Sequence, residues 1–177
     1  MKISPMDDKN LNDVLALEVT PAQLRHIETT KECLDEAADD SRWHPVAIFV
    51  DSTVVGCARY GKFPNWIGEG REDQVWLDRL LIDKRFQGKG YGEEALMLLL
   101  TRLEKEYGAN RIYLSVYEDN SHAISLYEKH GFYFTGERDT KGEKVMVRLS
   151  HPAVLGMPTL VELPDAMDCA RLCSELG

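Results

Sequence analysis

Val75–Leu96 reads V-W-L-D-R-L-L-I-D-K-R-F-Q-G-K-G-Y-G-E-E-A-L, and its organisation decides the fold. An apolar run from Val75 to Ile82, of strand length, feeds a glycine-rich turn, Gln87 to Gly92. A helix-forming stretch, Glu93 to Tyr107, follows and stops at Gly108. Gly88, Gly90 and Gly92 let the backbone curl and come close to an anion with no Cβ in the way. Inward amides and the positive end of the helix together suit a pyrophosphate. No Gly-Lys-Ser/Thr closes the turn, so it is not a Walker A loop, and its spacing departs from G-x-G-x-x-G. The turn by itself is equally compatible with a glycine-rich connection that binds nothing.

Working outward, residues 1–5 read as a first strand and Asp7–Glu18 as a helix through Leu11, Val14, Leu15 and Leu17. Thr20-Pro21-Ala22-Gln23 has the form of a capping box, which predicts a second helix from Thr20 to about Ala38. Pro45–Val50 and Val54–Tyr60 form a hairpin about Asp51-Ser52-Thr53, and Pro64–Asp73 is a polar loop. Beyond Gly108, Arg111–Tyr117 is a strand and Asn120–His130 a helix. Phe132–Glu137 and Glu143–Leu149 make a closing hairpin. This order gives an α/β (α+β) domain over 1–150, a mixed sheet with helices on its faces. Residues 151–177 are a C-terminal extension, a proline-containing linker and a helix from Pro164 to Leu176 that suits packing or self-association.

Composition bounds the partners. Thirty acidic against 21 basic side chains give a formal net charge of -9, which disfavours nucleic acid and favours cationic small molecules. Cys33 and Cys57 read as core residues, and Cys169 and Cys173 lack a neighbouring histidine at zinc-ligand spacing, so no metal is expected. Reduced thiols, no secretory signal and no apolar run of membrane-spanning length predict a cytoplasmic protein without membrane attachment.

Gln87-Gly88-Lys89-Gly90-Tyr91-Gly92 resembles the Q/R-x-x-G-x-G/A motif of the GCN5-related N-acetyltransferases. Downstream, Asn120-x-x-Ala123-x-x-Leu126-Tyr127-x-x-x-Gly131-Phe132 is similar to that family's second motif. Two motifs in the family's order are far more specific than either alone, and the likeness covers about residues 2–149. Val75-Trp76-Leu77-Asp78-Arg79, Glu28-Thr29-Thr30-Lys31 and the K-G-E-K-V-M-V of Lys141–Val147 most resemble the bacterial spermine/spermidine acetyltransferases within it.

The resemblance implies a mostly antiparallel sheet splayed between its fourth and fifth strands, with acetyl-CoA as co-substrate. The diphosphate is expected on amides of Gln87, Gly88, Lys89, Gly90, Tyr91 and Gly92. The pantetheine arm is expected along Leu80, Leu81 and Ile82 and against Asn120. Lys84, Arg85 and Lys89 are candidate phosphate partners or plain surface charges. Tyr127 takes the family's general-acid position; without the motif it reads as an aromatic packed on the sheet. The implied acceptor is a small cationic amine such as a polyamine; other amines, and a non-catalytic CoA-binding regulatory module, are the alternatives. A homodimer is left open.

Amide formation from a thioester needs a neutral amine, and a primary amine of pKa about 10 needs a base. Asp78, interrupting an apolar strand, is the candidate, through water; otherwise it is a sheet carboxylate paired with Arg59 or Arg79. Glu28, Glu32, Asp35 and Asp39 recur at helical spacing, opposite Leu24, Ile27 and Leu34. They form either a stripe for a polycation or an ordinary solvated face. Tyr60, Phe63, Trp66 and Trp76 are candidates to pack on the acceptor's methylene chain, or core aromatics.

Overall fold

The computed structural model describes residues 1–27, 29–64 and 73–150. Glu28, Trp66, the polar loop after Pro64, Cys169, Cys173 and the extension 151–177 lie outside the described residues. In chain order the elements are β1 (Lys2–Pro5), α1 (Leu11–Leu15), α2 (Thr30–Asp39), β2 (Trp43–Val50), β3 (Thr53–Pro64) and β4 (Asp73–Ile82). Then come α3 (Tyr91–Tyr107), β5 (Arg111–Val116), α4 (Ser121–Lys129), β6 (Phe132–Arg138) and β7 (Lys144–Leu149). Seven strands form one sheet in the order β1-β2-β3-β4-β5-β7-β6. Every neighbouring pair is antiparallel except β4 with β5.

α3 is long because Tyr91–Tyr107 is rich in leucine and free of β-branched residues save Thr101. Its Ala95, Leu96, Leu99, Leu100 and Leu103 lie on one buried stripe. They pack with Val55, Ala58, Tyr60, Val75, Leu77, Ile112 and Met146 into the main core. Each such leucine, fully buried, contributes about 1.5–3 kcal/mol. The other sheet face, under α1 and α2, holds two smaller clusters. One contains Val14, Leu17, Ala47, Cys57 and Leu81; the other Trp43, Phe63, Trp76 and Val145. Cys33 and Cys57 are buried free thiols, as the sequence predicted.

The second helix begins later than expected. Gln23 does accept from the Thr20 amide, at 3.0 Å, as half of a capping box would require. The chain nevertheless only turns through residues 21–26. The working box is Thr29 with Glu32: the Thr29 hydroxyl takes the Glu32 amide and the Glu32 carboxylate takes the Thr29 amide. Two boxes compete, and the second wins because it precedes residues whose burial anchors the helix, Thr30 and Cys33. Leu24 is 58% exposed and offers no such anchor. The first helix is likewise shorter than predicted, Leu11–Leu15 only.

β4 carries the feature that shapes the cleft. It pairs with β3 as Arg59↔Arg79 and then Tyr60↔Leu77, so Asp78 is an extra residue, a β-bulge. With β5 it pairs at only two positions, Val75↔Ile112 and Trp76↔Tyr113, before the strands part. β3 meanwhile stays tight against the end of β4: a Cβ on Gly56 would lie 2.2 Å from the Leu81 carbonyl oxygen. Gly56→Ala is therefore expected to destabilise the protein by about 1–3 kcal/mol, since that contact is backbone and cannot rotate away. Thermal unfolding is the check, with a Tm loss of about 2–4 °C for each kcal/mol.

Candidate active site

A continuous cleft of about 1480 Å³ occupies the gap between β4 and β5 and opens on both sheet faces. One end is the glycine turn, where Gln87, Gly88, Gly90, Tyr91 and Gly92 are in the wall. Gly88 and Gly90 have φ of 74° and 81°, left-handed values that glycine reaches without strain. Gly92 does not share this role; it sits in the first turn of α3, where an added Cβ would make only an ordinary 3.8 Å contact with Ile82. Among the described residues, no turn or cap hydrogen bond is donated by the amides of Gly88 to Glu93. Gly90, the cap residue, has no side chain to take one. The positive end of a 17-residue helix thus borders the cleft, with Gly88, Gly90, Tyr91, Gly92 and Glu93 in the wall and their amides used by no turn or cap bond.

The side chains around this turn hold it in place. The Gln87 amide nitrogen donates to the Ile82 carbonyl at 2.8 Å and to Gln23 Oε1 at 3.1 Å, so this side chain braces the turn. Asp83, fully buried, accepts from the Glu18 and Arg85 amides and from the Arg85 guanidinium, which holds its carboxyl down at about 2. Arg85 and Lys84 are paired with Asp83 and Glu18. Lys89 is exposed and outside the lining, its ammonium 5.3 Å from the Phe86 ring centroid.

The middle of the cleft is the unpaired edge of β4. Leu80, Leu81 and Ile82 line it, and beyond Trp76 β4 has no β5 partner. An extended chain of suitable hydrogen-bonding groups can add here as a strand would. Facing it is α4, capped by Asn120, whose side-chain oxygen takes the Ala123 amide at 3.3 Å. Tyr127 lies on α4 and lines the cleft, its ring 5.7 Å from that of Phe132. Burial, and then the charge of Glu143, push its phenol up to about 12. It is a proton donor at any physiological pH.

The far end, under α2, is polar and holds two buried arginines, Arg59 and Arg79. Arg59 is 2% exposed and its guanidinium donates to the Asp78 carboxylate twice. It also meets Glu36 at 2.6 Å and the Cys33 carbonyl at 3.1 Å, and lies 4.5 Å from the Trp43 ring centroid. Burial raises the Asp78 carboxyl above its ordinary 3.8, against the opposing pull of Arg59. The bulge turns Asp78 and Arg79 to the same face. Arg79 reaches the Thr29 carbonyl at 3.4 Å, and burial lowers its guanidinium to about 10. Trp76 forms part of the floor, stacked on Tyr113 at 5.4 Å. From the β6–β7 turn, Lys141 crosses to Glu36 at 3.5 Å. At the mouth, His26 meets Asp119 at 2.8 Å, joining the residue-20s segment to the start of α4.

Several sequence expectations need correction. Tyr60 is not in the cleft: strand alternation turns it to the α3 face, where it is 1% exposed and donates to Glu106 at 3.1 Å. Phe63 is a core aromatic of the Trp43 cluster. Of the acidic stripe, Glu32 lines the cleft, but its carboxylate is engaged by Thr29, which lowers it. Asp35 is paired with Lys31 at 2.5 Å, away from the cleft. Glu36, between the residues of that stripe, is the α2 carboxylate that reaches the buried arginine. Sequence reasoning also missed Trp43 and Glu143. Arg59 carried a readable signal, a lone cation in the apolar run Val54–Tyr60.

Known proteins match this arrangement. The model of the acetyltransferase (GNAT) family matches residues 11–132. A spermine/spermidine N(1)-acetyltransferase of Bacillus subtilis strain 168 is 44% identical over 148 residues, 84% of this chain and 97% of that protein. Among solved structures, the PaiA N-acetyltransferase of Thermoplasma acidophilum in complex with coenzyme A has a TM-score of 0.59 at 18% identity, covering 84% of this chain and 98% of the other. A GNAT acetyltransferase of Elizabethkingia anophelis with acetyl-CoA bound has a TM-score of 0.58 at 14% identity, covering 84% and 97%. These two likenesses establish the fold; the sequence matches go further, and the chain belongs to the GNAT family of acetyltransferases.

Proposed function

We propose that the protein transfers the acetyl group of acetyl-CoA to a primary amine of a small polyamine such as spermine or spermidine. The observation that carries this reading is the polarity of the cleft. The amides of a glycine turn, used by no turn or cap bond, stand at one end and the carboxylates of Glu36, Asp78 and Glu143 at the other, with an unpaired strand edge between. The first end fits a diphosphate, the edge an amide-bearing arm, and the last a cation. The 44% identity to a spermine/spermidine acetyltransferase supports the same acceptor class.

Acetyl-CoA supplies an activated acyl thioester, and its conversion to an amide releases the free thiol. The protein's own groups divide the remaining work. Gly88 to Glu93 hold the diphosphate through backbone amides, and Asn120 and the Leu80–Ile82 edge hold the arm. Asp78, through a water molecule, takes the proton that the acceptor ammonium must lose before its nitrogen can attack. The Arg59 clamp fixes that carboxylate in place while burial keeps it more basic than a surface aspartate. The β4 backbone near Leu80 donates to the carbonyl oxygen as negative charge develops there. Tyr127 gives its phenolic proton to the departing sulfur, and the second proton that the nitrogen sheds as the amide forms restores the phenol. No covalent bond to the protein is needed.

Tyr127→Phe removes only that proton. It should lower kcat by about 10²–10⁴ with little change in acetyl-CoA affinity. Thiol release for turnover and calorimetric titration for binding are the readouts, and a parallel loss in both would reject the acid role. The same assay across a panel of spermine, spermidine, amino acids and aminoglycosides tests the acceptor class.

The pH profile follows from the shifted groups. Asp78 must be ionised, and its carboxyl is raised above 3.8, so kcat/KM should fall on acidification at a higher pH than an ordinary aspartate gives. Tyr127, at about 12, must stay protonated and does so. Hence kcat/KM should rise as Asp78 ionises and then hold level to about pH 9, over which range the acceptor still arrives as its ammonium. A decline between pH 8 and 9 would contradict the assignment of the acid.

A further inference from the structure

Glu143 faces the same end of the cleft as Asp78 from the opposite side of the gap. The antiparallel register of β7 with β5 runs Ser115↔Val145 and Val116↔Lys144, which sets Glu143 across from Tyr117. Alternation puts it on the face of Val145, Trp76 and Tyr113, not on that of Met146. Its backbone is pinned: its amide donates to Asp139 Oδ1 at 2.9 Å and its carbonyl accepts from the Asp139 amide at 3.0 Å.

The charges around it are unevenly spent. Arg59 serves both Asp78 and Glu36, and Lys141 also touches Glu36. Among the described residues, no cation lies within ion-pair distance of Glu143. Its carboxylate lies near the Ser115 and Tyr117 side chains, and it senses the charges of Asp78, Asp139, Lys141 and Arg79 and the Tyr127 phenol. Burial, then the Asp139 charge, raises it above its ordinary 4.5. A half-buried carboxylate that shares the cleft with Asp78, with Arg59 and Lys141 engaged by Asp78 and Glu36 and Arg79 acting on it only beyond ion-pair distance, is a site for an added cation.

We propose that Glu143 is the residue that receives the attacking nitrogen of the acceptor, holding its ammonium between itself and Asp78. This rests on the amine-acetylation reading and deepens it, assigning recognition of the reacting nitrogen, as distinct from the distal ones, to β7. Once Asp78 has drawn off the proton, Glu143 still accepts a hydrogen bond from the remaining N–H and keeps the lone pair aimed along the gap.

The test compares Glu143→Gln, Glu143→Asp and the unaltered protein with butylamine, which has one nitrogen, and spermidine, which has three. For Glu143→Gln, kcat/KM should fall by about 10- to 100-fold for both amines alike, as expected for a lost charge-assisted hydrogen bond. The loss should lie mainly in the amine KM, with the calorimetric affinity for CoA and the Tm unchanged. Glu143→Asp should recover part of it. An unchanged amine KM, a loss confined to spermidine, or a loss of CoA affinity alongside would each overturn the assignment while leaving the acetylation reading intact. Failure of the unaltered protein to turn over either amine would overturn both.

Discussion

The parting of β4 from β5 is the constraint on which the rest of the molecule depends. A parallel pair in the middle of a sheet normally continues, because each lost rung leaves a donor and an acceptor to be satisfied elsewhere. Here it ends after Trp76, and the next residue but one is the bulged Asp78. A bulge sharpens the local twist and turns the strand away from its neighbour. The Arg59 guanidinium keeps Asp78 turned under α2 by binding its carboxylate and the Cys33 carbonyl together. Without that clamp the extra residue would have no reason to stay inside. The open edge is thus built in by a buried ion pair, and the hydrogen bonds it leaves unmade are available to a ligand.

The same opening joins chemistry from both sheet faces. Tyr127 stands on α4, packed against the main core, whereas Asp78, Glu36 and Glu143 lie on the side of α2. A closed sheet would keep them apart. Through the gap, a neutral phenol and a set of carboxylates border one cleft. Their environments push them apart: the phenol is held protonated, and the carboxyls of Asp78 and Glu143 become more basic than at the surface. Pairs of groups separated in this way are how a protein performs acid and base steps at one pH.

How much of this was legible in the sequence varied with how local the cause was. The β4–turn–α3 stretch was readable because strand, glycine turn and amphipathic helix each leave their mark on consecutive residues, and α3 ends where Gly108 predicted. The capping box at Thr20 misled because its local signal is real. Only tertiary burial of Thr30 and Cys33 decides in favour of the box at Thr29. Tyr60 misled for a similar reason: an aromatic in a strand reads alike on either face. The register shifts that set its face come from pairings between strands. Asp78 was visible as a charge in an apolar run, but its bulge was not.

Glu143 shows where such reading ends. In the chain it is one acidic residue in the turn Asp139–Glu143, beside two lysines, and nothing marks it off from a solvated hairpin tip. Its significance arises from three non-local facts. β7 inserts between β5 and β6, its register sets residue 143 against Tyr117, and Arg59 and Lys141 are engaged by Glu36 and Asp78. A half-buried carboxylate with no ion-pair partner, in the same cleft as one that has its own, retains the means to attract a counter-charge. The cleft is therefore organised from the sheet outward. The bulge opens it, the buried Arg59 binds Asp78 and Glu36 on one side, and Glu143 stands on the other side with no ion-pair partner among the described residues.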